Sequence, residues 1–318
     1  MTHNKKDETE YIQKIEQWIS DEFKKVNKRF TGNYETVKSS GLEVVLRLPA
    51  ENETFYFKST GKAWAFESPL SAYLSVRQPG KTADIIGVHP TEPWIIMKEI
   101  RGTLLRQKRD KKVWQRAFQE YAELQVQEVK HVQELIELGV PDRRIPILKK
   151  QIDQHLEEMC QTGLGAEETK TIIELKSELM EMCDLMEGLI PPSLDHGDLH
   201  TANIYDRDGR SVFIDWGDAS VTHPFFSTRI FWNSLYELIE DDAEWLDMTN
   251  EFRPYYLEPW TAFGKMEELE KLLKVSDQLG CLHRGIGWHL YTLPYQDLQE
   301  FKKRPAQWLQ VLLEYRSL

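Results

Sequence analysis

The chain has 318 residues, enough for one large domain or two smaller ones, and its 41% hydrophobic and 29% charged residues are typical of a globular protein. The formal net charge of −12 offers no basic footprint, which excludes a general nucleic-acid partner. No apolar run approaches the ~18 residues that a membrane span requires, so no membrane association is expected. The scattered Cys160, Cys183 and Cys281 lack CxxC spacing, and the polar N-terminus has no signal core. Both features favour a reducing cytoplasm.

The first third of the chain carries a helical pattern followed by strand patterns. Apolar residues from Ile12 to Val26 recur at helical spacing, and short runs rich in β-branched and aromatic residues follow. One of these runs, Trp94–Met97, is fully apolar, which suits a buried strand. The predicted elements are a helix over residues 8–28, strands over 43–49, 54–59 and 94–97, and a turn over 50–53.

From Leu104 onward the apolar pattern becomes helical. The run that includes Trp114 indicates one long helix that ends near Gly139, because a glycine with Pro141 behind it is a typical stop. Further helices are predicted over residues 172–186, 226–240, 262–292 and 297–316. A strand-rich N-terminal part followed by a larger helical part predicts an α+β chain.

One constellation of polar residues carries most of the functional information. Residues 196–203 read HGDLHTAN, and Asp215-Trp216-Gly217 follows a short apolar strand after a predicted hairpin. The hairpin returns the chain, so Asn203 and Asp215 can share one Mg²⁺ ion through oxygen ligands. Asp198 then remains to accept the proton of a substrate hydroxyl. The spacing is that of the protein-kinase catalytic loop, H-R-D-x-x-x-x-N followed by D-F-G.

This form of the motif, with Gly197 after the histidine and Trp216 after the second aspartate, resembles the aminoglycoside phosphotransferase family. The resemblance is strongest over residues 194–224. It implies an α+β, protein-kinase-like two-lobe fold with a small antiparallel-sheet N-lobe and a larger, mainly helical C-lobe. The implied divisions are an N-terminal helical segment over 1–34, a nucleotide-binding N-lobe over 35–100 and a catalytic C-lobe over 101–318.

The resemblance also implies an activity and a role for each motif residue. The expected reaction is transfer of the γ-phosphoryl group of ATP, or of GTP, to a hydroxyl of a small molecule, assisted by Mg²⁺. Asp198 would be the catalytic base, Asn203 and Asp215 would bind the metal, and His196 would anchor the loop. The oligomeric state stays open.

A lysine on a strand and a glutamate on a helix are expected to hold the nucleotide phosphates in this fold. Lys58 ends the apolar strand Phe55-Tyr56-Phe57 and fits the first role. Glu67 precedes an apolar run and fits the second, and Pro69 places it in the first turn of its helix.

The remaining nucleotide contacts are implied by the resemblance alone. The segment Met97-Lys98-Glu99-Ile100 is similar to the family's hinge, where adenine bonds main-chain groups of Lys98, Glu99 and Ile100. The phosphate-covering loop departs from the glycine-rich kinase pattern. Only Ser39, Ser40 and Gly41 precede the strand there, offering backbone N–H and hydroxyl donors.

Two other segments have features of a different kind of site. His196, Asp198 and His200 could start a zinc site, but no further histidine pair accompanies them. Pro79-Gly80-Lys81-Thr82 looks like the end of a Walker A loop, yet position 75 is Ser75 rather than the required glycine. We interpret that segment as a turn.

The acceptor is not identified by the sequence. An acidic run over residues 240–251, bracketed by aromatic residues, could attract an amine-bearing acceptor such as an amino sugar, but we interpret it first as a solvated surface. A catalytically inactive, kinase-like binding module is the alternative hypothesis. Loss of Asp198, Asn203 or Asp215 would indicate it, and all three residues are present.

Overall fold

The computed structural model describes residues 5–40, 43–295 and 299–317. The chain forms two compact units, Met1–Arg101 and Gly102–Leu318. Within the described residues, every helix is too short or too polar to cross a membrane. The predicted division into segments over 1–34, 35–100 and 101–318 stays a prediction.

The first unit is built on a five-stranded antiparallel sheet. Its elements are α1 (Lys5–Lys25), β1 (Glu35–Ser39), β2 (Glu43–Ala50), β3 (Glu53–Thr60), α2 (Glu67–Arg77), β4 (Ile85–Val88) and β5 (Trp94–Lys98). The strand order in the sheet is β1-β2-β3-β5-β4. The strands predicted over 43–49, 54–59 and 94–97 are confirmed as β2, β3 and β5. The sequence did not indicate β1, because all of its side chains are exposed and no apolar alternation exists.

Helix α1 and the sheet share one hydrophobic core. Ile15, Ile19 and Phe23 on α1 are buried together with side chains of the strands, and the rings of Phe23 and Phe55 lie 5.0 Å apart. The amphipathic pattern therefore identified the central part of the α1 face that packs on the sheet, whereas Ile12 and Val26, at the two ends of the pattern, are exposed. This packing makes the sheet a fixed support for Lys58 on β3.

The second unit is mainly helical, with two small sheets. Its helices are α3 (Lys111–Glu128), α4 (Val132–Glu137), α5 (Ile145–Gln161), α6 (Ala166–Glu174), α7 (Lys176–Met186), α8 (Thr228–Ile239), α9 (Asp242–Leu257), α10 (Met266–Gly287) and α11 (Arg304–Ser317). Its strands are β6 (Thr103–Leu104), β7 (Ser193–Asp195), β8 (Ile204–Arg207), β9 (Arg210–Phe213) and β10 (Ser220–Thr222). Strand β7 pairs with β10, and β8 lies between β6 and β9.

Several predicted helices have different bounds in the structure. The prediction of one continuous helix from 114 to 139 is wrong, because a 3₁₀ turn over Val129–His131 separates α3 from α4. The helix predicted over 172–186 is two helices joined at Leu175. One tight turn barely changes the apolar spacing, so periodicity does not detect it. Residues 297–298 of the helix predicted over 297–316 lie outside the described residues, and α11 begins at Arg304.

Candidate active site

The predicted catalytic loop starts where β7 ends, and a buried polar network holds that point. The Asp195 carboxylate accepts hydrogen bonds from the hydroxyl of Ser227 at 2.8 Å and from that of Tyr121 at 3.2 Å. The Ser227 hydroxyl in turn accepts the main-chain N–H of Gly197 at 2.8 Å. Burial raises the pKa of Asp195 to about 6. No local sequence pattern predicts this network, because its members come from separate parts of the chain.

Gly197 allows the loop to pass directly against the chain that follows Asp215. Its φ is +75°, and a Cβ atom built there would lie 2.0 Å from the main-chain oxygen of Asp218. Only glycine combines this left-handed backbone with so close an approach. The glycine of the HGD motif therefore has a steric reason in the structure.

His196 holds the loop by using both nitrogens of its ring. Nε2 lies 2.9 Å from the main-chain oxygen of Ile214, and Nδ1 accepts the N–H of Asp198 at 3.3 Å. The ring packs against Trp216, with centroids 4.5 Å apart. Burial lowers the pKa of His196 to about 4, so the ring is neutral near pH 7. Because both ring nitrogens already have partners, His196 is a poor zinc ligand. The structure therefore does not support a zinc site that uses His196.

Asp198 is paired with an arginine that the sequence analysis did not single out. Nη2 of Arg284, on α10, donates to Oδ1 of Asp198 at 2.8 Å, while Nη1 lies 3.0 Å from Oδ1 of Asp218. His200 Nε2 lies 3.4 Å from the other Asp198 oxygen. Burial alone would raise the pKa of Asp198, but the charge of Arg284 and the contact with His200 hold it well below its usual range. Asp198 is therefore ionised and held in a defined orientation.

Asn203 and Asp215 are joined through the hairpin, as the sequence predicted for β8 and β9. The Asn203 side-chain N–H donates to the main-chain oxygen of Asp198 at 3.0 Å, which leaves its amide oxygen outside that bond. The main-chain oxygen of Asn203 accepts the N–H of Ile214 at 3.0 Å, so Asp215 follows one residue after this link. Asp215 has a left-handed backbone with φ of 63°, a conformation uncommon outside glycine that Asp and Asn tolerate better than most residues.

Lys58 in the first unit is buried between two carboxylates. Its Nζ lies 2.7 Å from Glu67 Oε1 and 3.2 Å from Glu43 Oε2, and Lys58 and Glu67 are both buried. Glu67 is the first residue of α2, in the first turn as expected. Glu43, at the start of β2, also pairs with Lys38. Glu43 was not predicted, because the sequence does not reveal which residues of adjacent strands lie together.

Ser39 and Ser40, two of the residues predicted to cover the phosphates, lie at the C-terminal end of β1 and directly after it. Ser39 ends β1. The Ser40 N–H donates to the main-chain oxygen of Glu43 at 3.0 Å, and the Glu43 N–H donates to the Ser40 hydroxyl at 3.3 Å. Gly41, the glycine of the predicted loop, lies outside the described residues. The Ser40 N–H is therefore already used within the hairpin, and a phosphate would need other donors of this segment.

The predicted hinge already uses part of its main-chain hydrogen-bonding capacity. The N–H of Lys98 donates to Asp84 at 2.8 Å, and that of Glu99 donates to Thr54 at 3.0 Å, both to main-chain oxygens. A base that bonds the main chain here would therefore use other groups, such as those of Ile100.

A cavity of about 470 Å³ opens beside Asp198 within the second unit. Its wall includes His200 from the catalytic loop, Glu237 from α8, and side chains of α10 and α11. A volume of this size suits a small molecule. None of the acidic residues of the run over 240–251 lines the cavity, which agrees with their interpretation as a solvated surface.

Buried His223, directly after β10, gives the fold a specific acid sensitivity. Burial lowers its pKa to about 3, from the ordinary 6.5 that it regains on unfolding. Below about pH 6.5 the unfolded chain binds a proton that the folded chain excludes, so this contribution to stability is lost as the pH falls toward 3. We expect His223→Asn, whose Oδ1 can replace Nδ1 as acceptor of the Phe225 N–H, to lower the pH slope of the unfolding free energy by up to ~1.4 kcal/mol per pH unit. Urea unfolding of the wild type and the variant between about pH 4 and 7 measures this slope. Identical slopes for the two proteins would contradict the low pKa of His223.

The fold of the chain is that of protein-kinase-like phosphotransferases: a small antiparallel-sheet unit followed by a larger, mainly helical unit. The Plasmodium vivax ethanolamine kinase aligns with a TM-score of 0.63 and 16% identity over 90% of this chain and 83% of that one. The choline kinase from Cryptosporidium parvum Iowa II aligns with a TM-score of 0.60 and 15% identity, over 90% of this chain and 89% of that one. The GDP complex of an aminoglycoside 2'-phosphotransferase aligns with a TM-score of 0.64 and 14% identity, over 90% of this chain and 93% of that one. These likenesses confirm the predicted α+β, kinase-like fold.

The family follows from the sequence itself. The family described as "Phosphotransferase enzyme family" matches residues 42–263, which include Lys58 and the whole catalytic-loop motif. The chain belongs to this phosphotransferase enzyme family. No curated protein sequence gives a significant match.

Proposed function

We propose that the protein is a small-molecule kinase that transfers the γ-phosphoryl group of ATP to a hydroxyl of its acceptor, with Mg²⁺ bound by Asn203 and Asp215. The observation that carries the proposal is the position of Asp198. Its carboxylate is ionised, oriented by Arg284 and exposed to a cavity of small-molecule size. Phosphoryl transfer depends on such alignment, since the loose transition state leaves little covalent chemistry to the protein.

The side chains at the metal position suit Mg²⁺. Asp215 supplies a carboxylate, and the hydrogen bond from the Asn203 amide nitrogen leaves its oxygen for a cation. When bound, Mg²⁺ neutralises charge on the phosphate oxygens. Asp198 would align the acceptor hydroxyl and take its proton. Its low pKa makes it a weak base, so alignment is its larger contribution.

The nucleotide would be held by Lys58 and by main-chain groups near Ile100 and Ser40. Lys58 is kept in place by Glu67 and Glu43, as a lysine that contacts the α/β-phosphates requires. The described cysteines are free, buried thiols, which supports a reducing cytoplasm as the compartment. The alternative, an inactive binding module, gains no support from these residues.

An amine-bearing acceptor would find one carboxylate other than Asp198 on the described cavity wall, that of Glu237. The acceptor panel includes amino sugars, choline analogues, homoserine and thiosugars beside neutral and acidic hydroxyl compounds, and it is tested with ATP and with GTP. Formation of a phosphorylated product, detected by mass spectrometry together with ADP or GDP release, tests the activity. Nucleotide binding without transfer to any hydroxyl across a broad panel would favour the inactive module.

Nucleotide binding should depend on Mg²⁺ through Asp215. At 100 times its Kd, ATP with Mg²⁺ should stabilise the protein by ~2.7 kcal/mol. Asp215→Asn should remove most of the stabilisation by ATP that depends on Mg²⁺. Asparagine tolerates the left-handed backbone, so the fold is preserved. Thermal unfolding with ATP, with and without Mg²⁺, measures the effect. Asp208→Asn, on the hairpin turn with a φ of 52°, is the matched control and should respond as the wild type does.

A further inference from the structure

The cavity beside Asp198 carries positive charge that the motif does not explain. Arg106, Arg284 and Arg304 all line it. Arg284 pairs with both Asp198 and Asp218, at 2.8 and 3.0 Å. Among the described side chains, those of residues 10–40, 43–295, 299 and 301–317, no carboxylate forms an ion pair with the guanidinium of Arg106 or of Arg304. Within this part of the chain, the charge of these two arginines is therefore not offset by an acidic partner.

Aromatic rings orient the Arg304 guanidinium. Its Cζ lies 5.8 Å from the ring centroid of Trp288 and 5.7 Å from that of Phe301. These two rings stack on each other with centroids 5.4 Å apart, and Arg284 lies 5.4 Å from the Trp288 ring. Trp288 also lines the cavity. Contact with two rings restricts the exposed Arg304 guanidinium, whose planar N–H groups suit two-point binding of a carboxylate or phosphate.

The charge balance of the wall favours an anion over a polycation. The wall carries three arginines, Arg106, Arg284 and Arg304, against two carboxylates, those of Asp198 and Glu237. Asp218, the second partner of Arg284, does not line the cavity. A multiply charged amine would meet an excess of positive charge there, which costs affinity.

We propose, on the basis of the kinase function above, that the acceptor bears an anionic group, a carboxylate or a phosphate, that binds Arg304 while its hydroxyl reaches Asp198. Arg106 adds a second positive charge to the same wall. The acceptor class is then a hydroxy acid or a phosphorylated polyol. The acidic run on the surface is not part of its recognition.

Matched sets of small molecules test this proposal. One set shares a diol: propanediol, aminopropanediol, glycerate and glycerol phosphate. The other shares a hexose: glucose, glucosamine, glucuronate and glucose phosphate. Binding is measured by calorimetric titration into protein saturated with ADP and Mg²⁺, and transfer is measured with ATP. We expect the anionic members to bind and react best, and Arg304→Gln to weaken their binding and raise their KM by ~10–100-fold, with kcat and the KM for ATP nearly unchanged.

Lys303→Gln is the control, because it removes a neighbouring exposed positive charge that does not line the cavity. It should change acceptor binding less than threefold. The proposal is overturned if neutral or amine-bearing members bind as tightly as anionic ones, or if Arg304→Gln binds the anionic members as the wild type does. Anion binding that depends on Arg304 without transfer to any hydroxyl would instead contradict the kinase function and leave the anion site standing.

Discussion

Asp198→Asn is expected to lower kcat by ~10²–10⁴-fold, the range for losing a positioned general base, while nucleotide affinity stays close to that of the wild type. The asparagine removes the negative charge that aligns the hydroxyl. Its oxygen can still accept the hydrogen bond that Arg284 Nη2 donates at 2.8 Å. The loop geometry should therefore persist, because its other supports, His196 and Asn203, bond main-chain atoms.

The matched control is Asp208→Asn, the same substitution at the turn of the hairpin, outside the cavity. It should retain full activity. Steady-state rates for both variants, together with thermal unfolding in the presence of ATP and Mg²⁺, separate catalysis from folding. Wild-type turnover in Asp198→Asn would exclude Asp198 as the catalytic residue.

Gly197→Ala is expected to destabilise the protein by roughly 3–5 kcal/mol and to abolish transfer. The new Cβ would lie 2.0 Å from the main-chain oxygen of Asp218, and its backbone φ of +75° already disfavours alanine. Since the obstacle is a main-chain atom, no rotation of a side chain relieves it. The loop that carries Asp198 must then move away from the segment that carries Asp218, and both carboxylates lose their common partner, Arg284.

Gly209→Ala separates the effect of the left-handed backbone from that of the clash with the Asp218 main chain. Its φ of +78° is nearly the same, but nothing lies within 4 Å of its added Cβ. It should cost only the ~1–2 kcal/mol of a left-handed alanine and leave activity intact. Urea unfolding and the transfer assay on both variants test the comparison. Equal losses of stability would show that the approach of Asp218 does not matter.

Local patterns in the sequence were enough for the elements that carry the motif. The hairpin of β8 and β9 was predicted from its turn residues, and it brings Asn203 near Asp215, as the spacing required. Lys58 and Glu67 were predicted from a strand end and a helix start, and they lie 2.7 Å apart. Each of these inferences depends on neighbours in the chain or on one short connection, which composition and periodicity describe well.

Helix bounds were less predictable where long apolar patterns continued through a break. The 3₁₀ turn over Val129–His131 and the junction at Leu175 leave the spacing of buried residues almost unchanged. Strand β1 had no pattern to detect, because the sheet holds it by main-chain hydrogen bonds to β2 and its side chains face solvent. Tertiary packing decided these boundaries.

The sequence by itself determined the phosphotransferase motif, the hairpin and the α+β order of the elements, because these depend on residues close together in the chain. Only the tertiary structure decided that Arg284 holds Asp198, that the Asp195–Ser227 network supports the loop, and that Arg304 faces the cavity. Each of these pairings joins distant segments. Nothing in the local pattern of an arginine or a serine specifies which distant carboxylate, or which cavity, folding will bring to it.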